Sequence, residues 1–230
     1  MCGVFGFVGR NRAPLDLQTL GRIALATERR GPHAFGFAWI DRRGRLKCYK
    51  QTGRISDHLG LLALARDARM LVGHCRFATQ GSPDDNINNH PHPADGGWIV
   101  HNGQVRNYQQ LVDAFDLYPV SACDSEVLGL LIERGTGTAL DRCCAAVRAA
   151  SEEQEPGTLF GCNQPLVLLG LWPRPDRLVA VRRGNPLHYC KTEQGYYLAS
   201  LPDSLLGKVH AAPDRTACLF TRKEVHHATL

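Results

Sequence analysis

MCGVFGFVG, residues 1–9, decides how this chain begins to fold. Val4, Phe5, Phe7 and Val8 make an apolar run with glycines at 3, 6 and 9. That composition suits a buried strand with other backbone close by. No basic segment leads into a long apolar stretch, so the start does not read as a secretory signal. A strand entering this early leaves Cys2 at its N-terminal edge.

Downstream, strand and helix patterns alternate. Pro14 opens a helical stretch with Leu17, Leu20 and Ala24 on one face, and Gly31-Pro32 stops it. Residues 34–40 and 46–49 read as a hairpin around Asp41-Arg42-Arg43-Gly44. A short helix over 57–65 precedes a strand over 70–77. Residues 80–97, QGSPDDNINNHPHPADGG, form a polar loop of the long kind that usually carries function. A strand over 98–101 ends at the turn pair Asn102-Gly103. Helices are expected over 108–115, 124–133 and 138–149, the last capped by Thr138 with Asp141 three residues on. Strands are expected over 166–171, 178–182, 187–189, 196–199 and 217–221, spaced as in an antiparallel meander. The expectation is one α+β domain over residues 1–230.

Bulk properties exclude several classes. No run of 18 apolar residues exists, so no membrane-spanning helix is expected. The net charge of +5 comes from basic residues scattered along the chain, and aromatics are only 7%, against a nucleic-acid-binding stripe. The cysteines are odd in number and contain no CxxC pair. This argues against a zinc site or disulfide framework and for reduced thiols in the cytoplasm. His90, His92 and His101 cluster in sequence, but Pro91 and the uneven spacing argue against a metal, and no cofactor is expected.

The candidate chemistry starts at Cys2. If Met1 is removed, one residue carries both a thiol nucleophile and a free α-amine able to act as base near neutral pH. Taken alone, Cys2 reads more readily as a small core residue, and only its surroundings reverse that. GHCRFATQG, residues 73–81, ends a strand with Arg76 and Thr79 at its edge, and Arg grips carboxylates bidentately. Asn102 beside Gly103 supplies a side-chain amide and an approachable backbone N–H, the donors of an oxyanion hole, although Asn-Gly is also a plain turn. Asp124 opens a helix, as its N-cap or as a partner for an ammonium group.

Six ordered segments, MCGVFGFVG, RRGPHAFG (29–36), GHCRFATQG, NNHPH (88–92), VHNGQVRNY (100–108) and CDSEVL (123–128), resemble the glutaminase domains of class II glutamine amidotransferases. The similarity is greatest to the glucosamine-6-phosphate synthases and spans nearly the whole chain. It implies a four-layer αββα N-terminal-nucleophile hydrolase sandwich of two mainly antiparallel sheets. It implies Cys2 as nucleophile, Asn102 and Gly103 as oxyanion hole, and Arg30 as an ordering residue near the nucleophile. It assigns Arg76 and Thr79 to the α-carboxylate of L-glutamine, Asp124 to its α-ammonium, and His90 to the lining of the pocket. Phe77 stands where the synthases have Trp, Gln80 where they have His, and Cys75 where they have Thr. Phe77 keeps an aromatic wall and Gln80 keeps hydrogen-bond donors. Pro32 within RRGPH resembles the asparagine synthetases, although HPH and DSEV favour the glucosamine-6-phosphate synthase branch. The synthases are fused to a domain that uses the ammonia, so a separate acceptor enzyme is expected as partner here. A non-catalytic glutamine sensor and a hydrolase of another amide are the competing readings.

Overall fold

The computed structural model describes residues 1–10, 13–151 and 164–230. Thirteen strands are described, in two sheets paired antiparallel throughout. The first sheet runs β11 (Val209–Ala211), β9 (His188–Lys191), β10 (Gly195–Ala199), β1 (Gly3–Gly9), β4 (Ala68–Arg76), β2 (Ala34–Asp41) and β3 (Leu46–Thr52). The second runs β13 (Val225–Thr229), β12 (Thr216–Phe220), β8 (Asp176–Arg183), β7 (Leu166–Pro173), β6 (Gly97–Asn102) and β5 (His92–Ala94).

The alternation of side chains along each strand builds the layers. In β1, Val4 and Val8 face the second sheet and pack with Val72, Val100, Leu169 and Leu178. Phe5 and Phe7 point the other way, onto Leu20, Ile23 and Ala24 of α1 (Leu17–Glu28) and onto Ile55 and Leu62. The far face of the second sheet carries Ile99, Leu168 and Val181. These pack on α2 (Tyr108–Ala114), α3 (Glu126–Arg134) and α4 (Ala139–Ser151). The order is therefore helices, sheet, sheet, helices, the expected αββα sandwich. Burial on both faces is the physical reason β1 is an unbroken apolar run.

Several local expectations need correction. Helix α1 starts at Leu17 rather than Pro14, because Asp16 caps it by accepting from Gln18 N at 3.0 Å. Residues Ile55–Ala65 form a 3₁₀ segment broken at His58 instead of a regular helix. The loop expected over 80–97 contains a 3₁₀ turn, Asn86–Asn88, and the edge strand β5. Strands β11 and β13 have largely exposed faces and hence no apolar alternation to betray them. The capping box of α4 is present: Thr138 N donates to Asp141 Oδ2 at 2.9 Å, and Asp141 N donates to Thr138 Oγ1 at 3.2 Å. Among the described residues all cysteines are free, and Cys162 lies outside them. No helix among the described residues is long and apolar enough to cross a membrane.

Candidate active site

Strand β1 lies inside the first sheet between β10 and β4, and Cys2 immediately precedes it. Two contacts fix Cys2. Arg30, just past α1, donates its Nε to the Cys2 carbonyl oxygen at 2.7 Å. The Phe77 N–H and carbonyl oxygen both lie 3.4 Å from Cys2 Sγ. Gly31 permits this arrangement: a Cβ there would fall 2.4 Å from Cys75 O and from the Arg76 carbonyl carbon. Burial pushes the Cys2 thiol up from its ordinary value, against the Phe77 backbone, the chain-terminal ammonium and Arg76, which favour thiolate. A thiol held protonated in this way needs a base beside it. With Met1 in place the Cys2 nitrogen is an amide, so only Met1 removal provides an α-amine there.

Strand β6 packs across the sandwich against β1 and β4 and ends at Asn102. The Asn102 side chain is buried, and its Nδ2 has no hydrogen-bond partner among the described residues. A buried amide donor without a partner is rare in a folded protein. Gly103 has a φ of +156°, and a Cβ there would sit 2.8 Å from His101 Nε2 and 2.9 Å from Pro165 O. Asn185 steadies this corner by donating Nδ2 to Asn102 O at 2.9 Å and to Pro165 O at 3.0 Å.

Arg76 closes β4. Its Nη1 donates to Asn89 Oδ1 at 2.8 Å, and its Nη2 donates to Gly81 O at 3.0 Å and to Gln80 O. Three of the five guanidinium N–H groups thus brace the 80–89 loop. Asp124 is buried and not the N-cap of α3, where Ser125 stands without a side-chain cap bond. Its Oδ2 instead accepts from Val105 N at 2.6 Å. Asp124, Thr79 and Gln80 share a cleft of about 360 Å³ with Gln104, Val105, Arg106 and Tyr108. Phe77 is exposed beside Cys2, with its ring 4.7 Å from that of His33.

His90 lies away from this cleft lining. Its ring is buried, stacked on His74 at 3.9 Å and edge-on to His92 at 4.7 Å. His74 Nε2 donates to His101 O at 3.0 Å, and His101 Nδ1 pairs with Ser125 Oγ at 2.9 Å. Burial holds His74 down at about 3 and His101 at about 4, so both are neutral near pH 7. One ligand atom from each of His90, His92 and Cys123 lies within 4.8 Å of the others. The structure thus adds Cys123 to His90 and His92 as a third donor, while His101 stays near enough to act electrostatically on both. Asn185 escaped the sequence reading altogether, and Ser125 entered it only within CDSEVL, with no role assigned. The Asn185-Pro186 turn signal was the one available hint for the former.

A cysteine leading into an inner strand of an αββα sandwich defines the N-terminal-nucleophile hydrolase architecture. No protein-family model matches the chain. It is 30% identical to the glutamine–fructose-6-phosphate aminotransferase (isomerizing) of Clostridium perfringens, over all of this chain and 39% of that one. The chain thus spans about two fifths of that curated relative. Glutamine phosphoribosylpyrophosphate amidotransferase of B. subtilis superposes with a TM-score of 0.78 at 19% identity, covering 99% of this chain and 49% of the other. A glutamine aminotransferase class-II domain protein of Silicibacter pomeroyi superposes with a TM-score of 0.66 at 21% identity, covering 99% of both. The chain is a class II glutamine amidotransferase domain.

Proposed function

We propose that the chain, once Met1 is removed, hydrolyses the side-chain amide of L-glutamine through a Cys2 thioester and passes the ammonia to a separate acceptor enzyme. The observation that carries this reading is the unpartnered, buried Asn102 amide beside Gly103. It is a donor awaiting an oxyanion.

The Cys2 α-amine takes the thiol proton, and Sγ attacks the amide carbon. Asn102 Nδ2 and the Gly103 N–H stabilise the oxyanion that forms. Collapse breaks the C–N bond as the ammonium returns its proton to the departing nitrogen, giving ammonia and a γ-glutamyl thioester. Water, deprotonated by the same amine, then releases glutamate and the thiol. Arg30 orders the nucleophile through the Cys2 carbonyl. Asp124 offers a carboxylate to the substrate ammonium in the cleft it shares with Thr79 and Gln80. Arg76 is assigned to the substrate carboxylate through the N–H groups not engaged by the loop, with Phe77 as a wall near the thiol and His90 as support from behind.

The test is ammonia and glutamate release from glutamine by Met1-processed protein, with Cys2→Ala as control. A hydrolase of another amide gains some support from the engagement of Arg76 by its own loop. Faster cleavage of Nα-acylglutamine than of glutamine would establish that alternative and overturn the glutamine assignment.

A further inference from the structure

We propose that His90, His92 and Cys123 form a buried binding site for a borderline-soft divalent metal, with zinc as the natural fit. Nothing in the glutaminase mechanism uses these three side chains as ligands. Each offers one ligand atom within 4.8 Å of the other two, and all three residues are buried.

The unpaired atoms point to a ligand. Neither ring nitrogen of His90, nor Nε2 of His92, has a hydrogen-bond partner among the described residues. Buried polar atoms are nearly always satisfied, so three orphan nitrogens in one place mark a missing partner. Two imidazoles and a thiolate are a donor set suited to zinc, leaving a fourth position for water. Ligand distances of about 2.0 Å to nitrogen and about 2.3 Å to sulfur require the donors to close by roughly 1 Å. The Cys123 thiol proton leaves on binding, and the metal then carries one excess positive charge. Asp124, with Oδ1 3.9 Å from Cys123 Sγ, offsets it.

The placement gives such a metal a structural role. His92 begins β5, and Cys123 precedes α3, whose Gly129 packs on Pro93 so closely that a Cβ would be 2.2 Å from Pro93 O. A bound ion would tie β5 to the segment that presents Asp124 to the cleft. The site was illegible in sequence because Cys123 lies 31 positions beyond His92.

The test uses metal-free full-length protein carrying Cys2→Ser, so that the N-terminal thiol cannot chelate. Titration with Co²⁺ should show saturation at one equivalent, visible d–d bands and a near-ultraviolet thiolate-to-cobalt charge-transfer band that Zn²⁺ abolishes by displacement. Adding Cys123→Ser should remove the charge-transfer band and weaken Zn²⁺ binding on the order of tenfold or more. No charge-transfer band, or one that survives Cys123→Ser, overturns the proposal. Should the double variant fail to fold, X-ray absorption of the zinc-loaded Cys2→Ser protein decides. One sulfur at about 2.3 Å with nitrogen neighbours supports the site, and an all-nitrogen/oxygen shell overturns it.

Discussion

Asn185 donates one side-chain amide nitrogen to two carbonyl oxygens, Asn102 O at 2.9 Å and Pro165 O at 3.0 Å. The end of β6 and the approach to β7 are therefore held together behind the proposed oxyanion donors. Asn185 touches no reacting atom in this account, so it is a positioning residue. Asn185→Ala and Asn185→Asp both remove the donor and are expected to lower kcat about tenfold with KM nearly unchanged. The stability loss should be about 1–3 kcal/mol, from carbonyls left unsatisfied. Steady-state ammonia release and thermal unfolding check both parts. A KM effect alone would place Asn185 in substrate binding instead.

Asn102→Ala removes the unpartnered amide itself. Loss of one oxyanion donor lowers kcat by roughly 10²–10³, while substrate binding changes little. Because Asn102 Nδ2 makes no hydrogen bond within the described protein, this variant should unfold at nearly the wild-type temperature. Kinetics and a melting curve on the same preparation separate the two effects.

Gly31 tests packing beside Cys2, with Gly60 in the Ile55–Ala65 segment as its control. Gly31→Ala drives a methyl to 2.4 Å from rigid β4 backbone, whereas nothing lies within 4 Å of a Cβ at Gly60. Overpacking at Gly31 should destabilise by roughly 3 kcal/mol or more, a fall of about 10 °C in unfolding temperature. Gly60→Ala should be close to neutral. Equal effects at the two sites would refute the close approach of the Arg30-Gly31 segment to β4.

The buried histidines give the metal-free protein a defined acid sensitivity. His74 and His101 sit at about 3 and about 4 in the fold, against 6.5 ordinarily, through burial first. The unfolded chain therefore binds more protons between those values, and stability rises with pH across that window. It is complete above about 6.5 and is lost as pH falls toward the folded values. At pH 5 each histidine should have removed on the order of 2 kcal/mol. Together they lower the unfolding temperature by roughly 10 °C relative to pH 7. Melting curves from pH 4 to 8 check the direction, and His101→Gln should flatten the slope.

Legibility in the sequence followed burial. Strand β1, the β2–β3 hairpin and the cap of α4 were readable because two-faced burial, turn residues and a capping box leave local patterns. Strands β5, β11 and β13 left none, being short edges with polar or exposed faces. At the candidate site, the motifs single out Cys2, Arg30, Asn102 and Asp124. Two things they do not show: the loop acceptors that engage Arg76, and the backbone N–H that Asp124 accepts. Asn89 and Val105 are tertiary neighbours 13 and 19 residues away, and the nearer acceptors, Gln80 O and Gly81 O, depend on how the loop folds back on Arg76. The grouping of Cys123 with the His-Pro-His segment is still longer in range, and the spacing argument, made on His90, His92 and His101, did not reach it.

Whether Cys2, freed of Met1, attacks glutamine is decided by intact-mass analysis of the natively produced protein. The protein would be measured before and after exposure to a glutamine-like diazoketone, with and without excess glutamine. Loss of Met1 and a single adduct on Cys2 that glutamine suppresses are expected. Retention of Met1 with no adduct, or an adduct on another cysteine that glutamine does not protect, would contradict it.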